Sequence, residues 1–133
     1  MIKPANRLPD TNPLVRYLLN DDVRLSKTAR NFFEKVKDGE EKIVILESVI
    51  PECIYVLIKI YRVPKNEAAE SLIKLLSYKG VANSDKKELI DALSLFAKKN
   101  LYIVDCILCE KSKSQKMPLF TFDKALKKHS STN

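Results

Sequence analysis

The chain has 133 residues, a length that fits one compact domain able to bury a core without disulfides or a structural metal. Its composition, 45% apolar and 31% charged, is that of an ordinary soluble globular protein, and two glycines are too few for a glycine-rich phosphate cradle. A net charge of +7 favours capture of polyanions, nucleic acid first among them, although many lysine-rich cytosolic proteins are basic without binding any.

Along the chain, residues 13–20 read as a short helix with Asn12 as its N-cap and Pro13 in its first position. Residues 26–37 read as a second helix, its stripe being Ala29, Phe32, Phe33 and Val36, stopped by Asp38-Gly39. The short apolar run over 42–46 suits a parallel strand covered on both faces. A helix over 50–62 comes next, with Ile54, Leu57, Ile58 and Tyr61 on one face. Pro64 opens another, whose buried stripe is Ala69, Leu72, Ile73 and Leu76, and Gly80 closes that segment. Val81 and Ala82 could form a short strand. Asp85 and Glu88 have capping-box spacing ahead of a helix carrying Leu89, Leu93, Phe96 and Ala97. A further helix spans about 104–113, residues 118–122 read as a strand, and Lys124 begins a last helical turn or two. The tail over 127–133 is polar and expected to fray. Strands separated by helices predict an α/β fold with a mostly parallel sheet, in which ligands bind beyond the carboxyl ends of the strands.

Four acidic residues fall at such places. Asp10 precedes the first helix, Asp123 comes directly after the last strand, and Glu52 and Asp105 lie near helix starts within otherwise apolar stretches. Each alone is explained as a helix-dipole partner or as half of an ion pair. Together they would repel one another at one end of a sheet unless a divalent cation neutralised them, and an oxygen-only set favours Mg²⁺ or Mn²⁺.

These residues resemble the PIN-domain family, including its VapC-type toxins. Leu8-Pro9-Asp10-Thr11-Asn12-Pro13-Leu14-Val15-Arg16-Tyr17-Leu18-Leu19 looks like the opening DTN motif, Pro51-Glu52-Cys53-Ile54-Tyr55-Val56-Leu57 the second motif, Tyr102-Ile103-Val104-Asp105-Cys106-Ile107-Leu108 the third and Leu119-Phe120-Thr121-Phe122-Asp123 the fourth. The four occur in order over 8–126. The resemblance implies a three-layer α/β/α sandwich around a short, mostly parallel sheet, filling residues 1–133 as one domain. It implies hydrolysis of RNA phosphodiester bonds with Mg²⁺ or Mn²⁺ held by Asp10, Glu52, Asp105 and Asp123, supported by Thr11, Asn12 and Thr121. It also implies a homodimer and, for a toxin, a small antitoxin partner. Two departures stand out. The expected first strand, 5–9, contains Arg7 and Pro9, and proline cannot donate to a ladder. The chain also ends soon after Asp123, so the last edge strand of many relatives is expected to be missing or reduced. The rival reading is a catalytically silent RNA-binding or protein-interaction module on the same fold.

Other motifs carry less. Cys106 and Cys109 match C-x-x-C, but the stretch is apolar and helical, where small buried thiols are common. A zinc site would need further ligands, and only Cys53 and His129 are on offer. Tyr17, Tyr55, Tyr61, Tyr78 and Tyr102 are scattered and form no RNA-stacking motif. The clusters Lys86-Lys87, Lys98-Lys99 and 111–116 read as solvated faces, some able to hold RNA phosphates. An odd cysteine count, no signal-peptide pattern and no membrane-spanning run predict a cytoplasmic protein with reduced thiols.

Overall fold

A computed structural model describes residues 6–20 and 23–130, and the side chains within them except those of 23–26. The elements are helical: α1 (Thr11–Leu19), α2 (Val23–Asp38), α3 (Val49–Tyr55) running into a π-helical turn (Val56–Ile60), α4 (Lys65–Leu76), α5 (Lys86–Lys98), α6 (Ile103–Gln115) and α7 (Lys124–Ser130). Among the described residues none of these helices is long and apolar enough to cross a membrane. The stripes predicted for α2, α4 and α5 do face inward, with Phe33, Val36, Leu72, Leu76, Leu89 and Leu93 buried in one core.

The predicted α/β/α sandwich is not what forms. Among the described residues there is no strand and no sheet, only two isolated parallel bridges, Arg7 to Ile43 and Ile43 to Val81. Ile43 is the middle of three chain segments and is fully buried. On one side Arg7 N–H donates to the Lys42 carbonyl and Val44 N–H to the Arg7 carbonyl, both at 3.0 Å. The next ladder donor would be the nitrogen of residue 9, which is Pro9 and has no hydrogen. On the other side Ile43 N–H donates to the Gly80 carbonyl (2.9 Å) and Ala82 N–H to the Ile43 carbonyl (2.8 Å). There the ladder is ended by a side chain. Asn83 Oδ1 accepts from Ile45 N–H at 2.8 Å, and Asn83 Nδ2 donates to the Ile45 carbonyl at 2.7 Å. One amide group thus stands in for the peptide that a longer strand would have supplied. Gly80 is needed for the approach: a Cβ there would lie 2.1 Å from the Glu41 carbonyl oxygen and 2.6 Å from that of Val36.

Residues 118–122, read from the sequence as a strand, have no ladder partner either. With the Arg7 segment paired at a single residue, no extended edge is present for another strand to join. Phe120 and Phe122 are left 89% and 91% exposed, packed edge to face on each other.

Several local readings change as well. The N-cap of α1 is Asp10, not Asn12: Asp10 Oδ1 accepts from Thr11 N–H at 2.8 Å. The Asp85–Glu88 capping box does not close, because Asp85 makes no cap bond and accepts from Asn83 Nδ2. Glu88 instead reaches across to α6, where it accepts from Ser114, Gln115 and Lys111. Helix continues through the expected tail as far as Ser130. Ala5, the expected start of the first strand, and the final residues 131–133 lie outside the described residues.

Candidate functional site

Two of the three bridged segments lead into helices that carry candidate acids. The Arg7 segment passes through Pro9 into Asp10 and α1, and the Ile43 segment reaches α3, whose first turn holds Glu52. Asp10, Thr11, Asn12, Val15, Arg16, Glu52, Val56 and Tyr61 line one cleft of about 210 Å³. One Asp10 oxygen accepts from Thr11 N–H.

Beneath the two acids lies the fully buried Cys53. Its thiol is pushed up to about 12, first by burial and then by the negative charges of Glu52 and Asp10, with the Thr11 hydroxyl pulling the other way. Thr11 Oγ1 is buried and sits near this thiol, yet makes no hydrogen bond of normal geometry. Cys53 stays a thiol at neutral pH and is no nucleophile.

The other two acids do not join this cleft. Asp105, in the first turn of α6, lines a separate apolar groove of about 600 Å³ with Pro51, Ile54, Tyr55, Phe96 and Tyr102. Asp123 is exposed and acts as a helix cap, its Oδ1 accepting from Leu126 N–H at 3.1 Å. Thr121 serves the same turn, accepting from Asp123 N–H at 3.1 Å. Among the described residues no three acidic, histidine or cysteine groups stand close enough to hold a metal ion. The Asp10–Glu52 pair fits a more modest role: Mg²⁺ commonly takes one or two carboxylates, keeps several waters and completes its shell with substrate phosphate.

Arg16 and Tyr61 line the cleft without being singled out by sequence. Arg16 stands within the first motif, but nothing in a single sequence gives it a role. Helical spacing puts Tyr61 on the buried face with Ile54 and Leu57. It is instead 38% exposed, and the reason is the π-helical turn. Tyr61 N–H donates to the Val56 carbonyl five residues back, at 3.1 Å. The extra residue in that turn rotates Tyr61 off the α-helical stripe. Of the remaining candidates, Cys106 and Cys109 are buried with their thiols raised, as core packing requires. Lys111 is tied to Glu47 and Glu88 at 3.0 and 3.1 Å.

Comparison with known proteins bears out the family resemblance. A VapC ribonuclease of Aquifex aeolicus (strain VF5) is 28% identical over 108 residues, which cover 80% of this chain and 78% of that one. No solved structure matches. The family profile of the PIN domain matches residues 7–131, nearly the whole length, and the chain belongs to the PIN-domain family.

Proposed function

We propose that this protein is a metal-dependent endoribonuclease that hydrolyses RNA phosphodiester bonds with Mg²⁺ or Mn²⁺, and that it is the toxin of a toxin–antitoxin pair. The observation that carries the reading is the shared cleft of Asp10 and Glu52, two carboxylates from distant parts of a basic chain, in a member of a family with a ribonuclease relative. Asp10 and Glu52 would hold the divalent ion, which would supply a more acidic water and a shield for phosphate charge. The chain's own part is to hold that geometry. Thr11 N–H fixes Asp10, α3 presents Glu52 from its first turn, and Asn12 lines the same wall. Asp105, Asp123 and Thr121 enter this proposal on the family pattern. A homodimer, a small antitoxin and a cytoplasmic location belong to it on the same ground.

The test is cleavage of RNA by the purified protein with Mg²⁺, with Mn²⁺ and with EDTA. Asp10→Asn and Glu52→Gln are expected to lose about a hundredfold or more, since even groups behind a metal's ligands carry 10- to 100-fold. Asp105→Asn and Asp123→Asn are tested beside them, and either variant cleaving like wild type leaves the catalytic set. The rival reading, a silent RNA-binding or interaction module, draws on the meeting of only two acids in the cleft. It predicts RNA binding that is indifferent to metal and no cleavage by wild type.

A further inference from the structure

We infer that Tyr61 is the substrate-stacking residue of the cleft, its ring carrying the nucleobase beside the phosphate to be cut; this rests on the ribonuclease reading above. The backbone that puts Tyr61 there departs from a regular α-helix. The π-helical turn over Val56–Ile60 widens the helix, and Arg62, next after Tyr61, takes the left-handed conformation (φ 59°) with which helices commonly end. Single π turns in helices gather at functional sites. The end is pinned: Val63 N–H donates to the Leu57 carbonyl at 2.9 Å, six residues back. With regular α-helical spacing, Tyr61 would continue the stripe of Ile54 and Leu57, both buried, and leave the cleft without its aromatic wall.

Size decides which part of the substrate meets the ring. The cleft holds about 210 Å³, below the ~300–1,000 Å³ of sites that enclose a whole small molecule. It accommodates a phosphate with its ion and waters, and the flanking base stays at the rim, where Tyr61 is partly exposed. Unstacked bases of single-stranded RNA settle on aromatic faces, and every base has such a face. Among the described residues, no hydrogen bond ties the Tyr61 hydroxyl down.

The experiment compares wild type, Tyr61→Phe and Tyr61→Ala. Binding of a short fluorescein-labelled single-stranded RNA is measured by anisotropy in EDTA, and cleavage is measured with Mn²⁺. A matched RNA lacking the base beside the cut site completes a double-mutant cycle. Tyr61→Ala is expected to weaken binding and raise KM by about tenfold, Tyr61→Phe to match wild type, and the baseless RNA to be indifferent to both. Thermal unfolding of both variants stays near that of wild type. Wild-type cleavage with equal binding by Tyr61→Ala overturns the stacking role alone. Loss in Tyr61→Phe equal to that in Tyr61→Ala overturns it in favour of the hydroxyl. A wild type that neither binds nor cuts RNA overturns both this inference and the ribonuclease reading.

Discussion

Asn83 is the residue on which the centre of the molecule most depends out of proportion to its size. Replacing it with alanine removes the acceptor 2.8 Å from Ile45 N–H and the donor 2.7 Å from the Ile45 carbonyl. No strand lies alongside to take them over, because Ala82 is the last residue of that segment to pair through its backbone. A buried polar group left unpaired costs about 1–3 kcal/mol, and the space vacated by the amide lets some water in. For the two groups together we expect a loss of about 2–4 kcal/mol. With a urea m-value of about 1–3 kcal/mol per molar for a chain of this size, the unfolding midpoint should fall by about 1–2 M with m unchanged. Exchange of the Ile45 amide should accelerate in step. A companion variant, Asn83→Asp, keeps the acceptor but turns a second carboxylate oxygen toward the Ile45 carbonyl and Asp85. Its folded form favours the protonated acid, so its deficit should be largest at neutral pH and shrink as pH falls. A midpoint shift of Asn83→Ala below about 0.3 M would refute the reasoning, because it would mean water satisfies Ile45 as well as the amide does.

Three further outcomes rest on contacts elsewhere in the molecule. Gly80→Ala drives a Cβ against the Glu41 and Val36 carbonyl oxygens, so its thermal midpoint should reflect a loss of about 3 kcal/mol; Gly39→Ala, at φ 87° with its Cβ in ordinary contact with the Lys79 side chain, should lose about 1 kcal/mol. Thiol titration with Ellman's reagent should find none of the three buried cysteines reactive in the folded protein and all three after unfolding, Cys53 and Cys106 being pushed up to about 12 by burial; rapid labelling of any one of them in the native state contradicts this. Glu88 is held below the ordinary carboxylate range, first by the Ser114 hydroxyl and then by Gln115 and Lys111, against the opposing pull of burial. Its contribution is therefore complete above that range and lost as pH falls through the lowered value, so wild type should exceed Glu88→Gln by about 1 kcal/mol at neutral pH and converge with it in acid, as measured by urea melts across pH.

The part of the fold legible in the sequence is the part that periodicity reports. The inward stripes of α2, α4 and α5 are set by spacing alone, and Phe33, Leu72 and Leu93 sit where the pattern puts them. The strands are not legible in this way, because an apolar run such as 42–46 reports burial and says nothing of pairing. Ile43 and Ile45 are buried as expected, yet pairing depends on what the neighbours offer, and those neighbours are Pro9 and Asn83. Pro9 is visible in the sequence as a difficulty. Asn83 is not, since an amide that substitutes for a peptide bond looks in sequence like any loop asparagine. The same blindness hides Tyr61: a 3.6-residue period cannot announce the turn that breaks it.

The candidate site divides along the same line. Asp10 and Glu52 are found by type and position, and both reach one cleft because the Arg7 and Ile43 segments, bridged at Arg7 and Ile43 alone, deliver α1 and α3 side by side. Asp105 lies apart from them, in the first turn of α6 beside the apolar groove. Asp123 comes directly after residues 118–122, and with no strand there it caps α7. The extent of pairing and the number of acids that meet are therefore one question. If Asp123→Asn abolishes cleavage as fully as Asp10→Asn, the 118–122 segment must come to the Arg7 edge when RNA and metal bind. Phe120 and Phe122, now exposed, would then be covered, and their backbone amides would gain exchange protection that the free protein lacks. If Asp123→Asn cleaves normally, two carboxylates are enough, and the bare aromatic pair has no part in the chemistry.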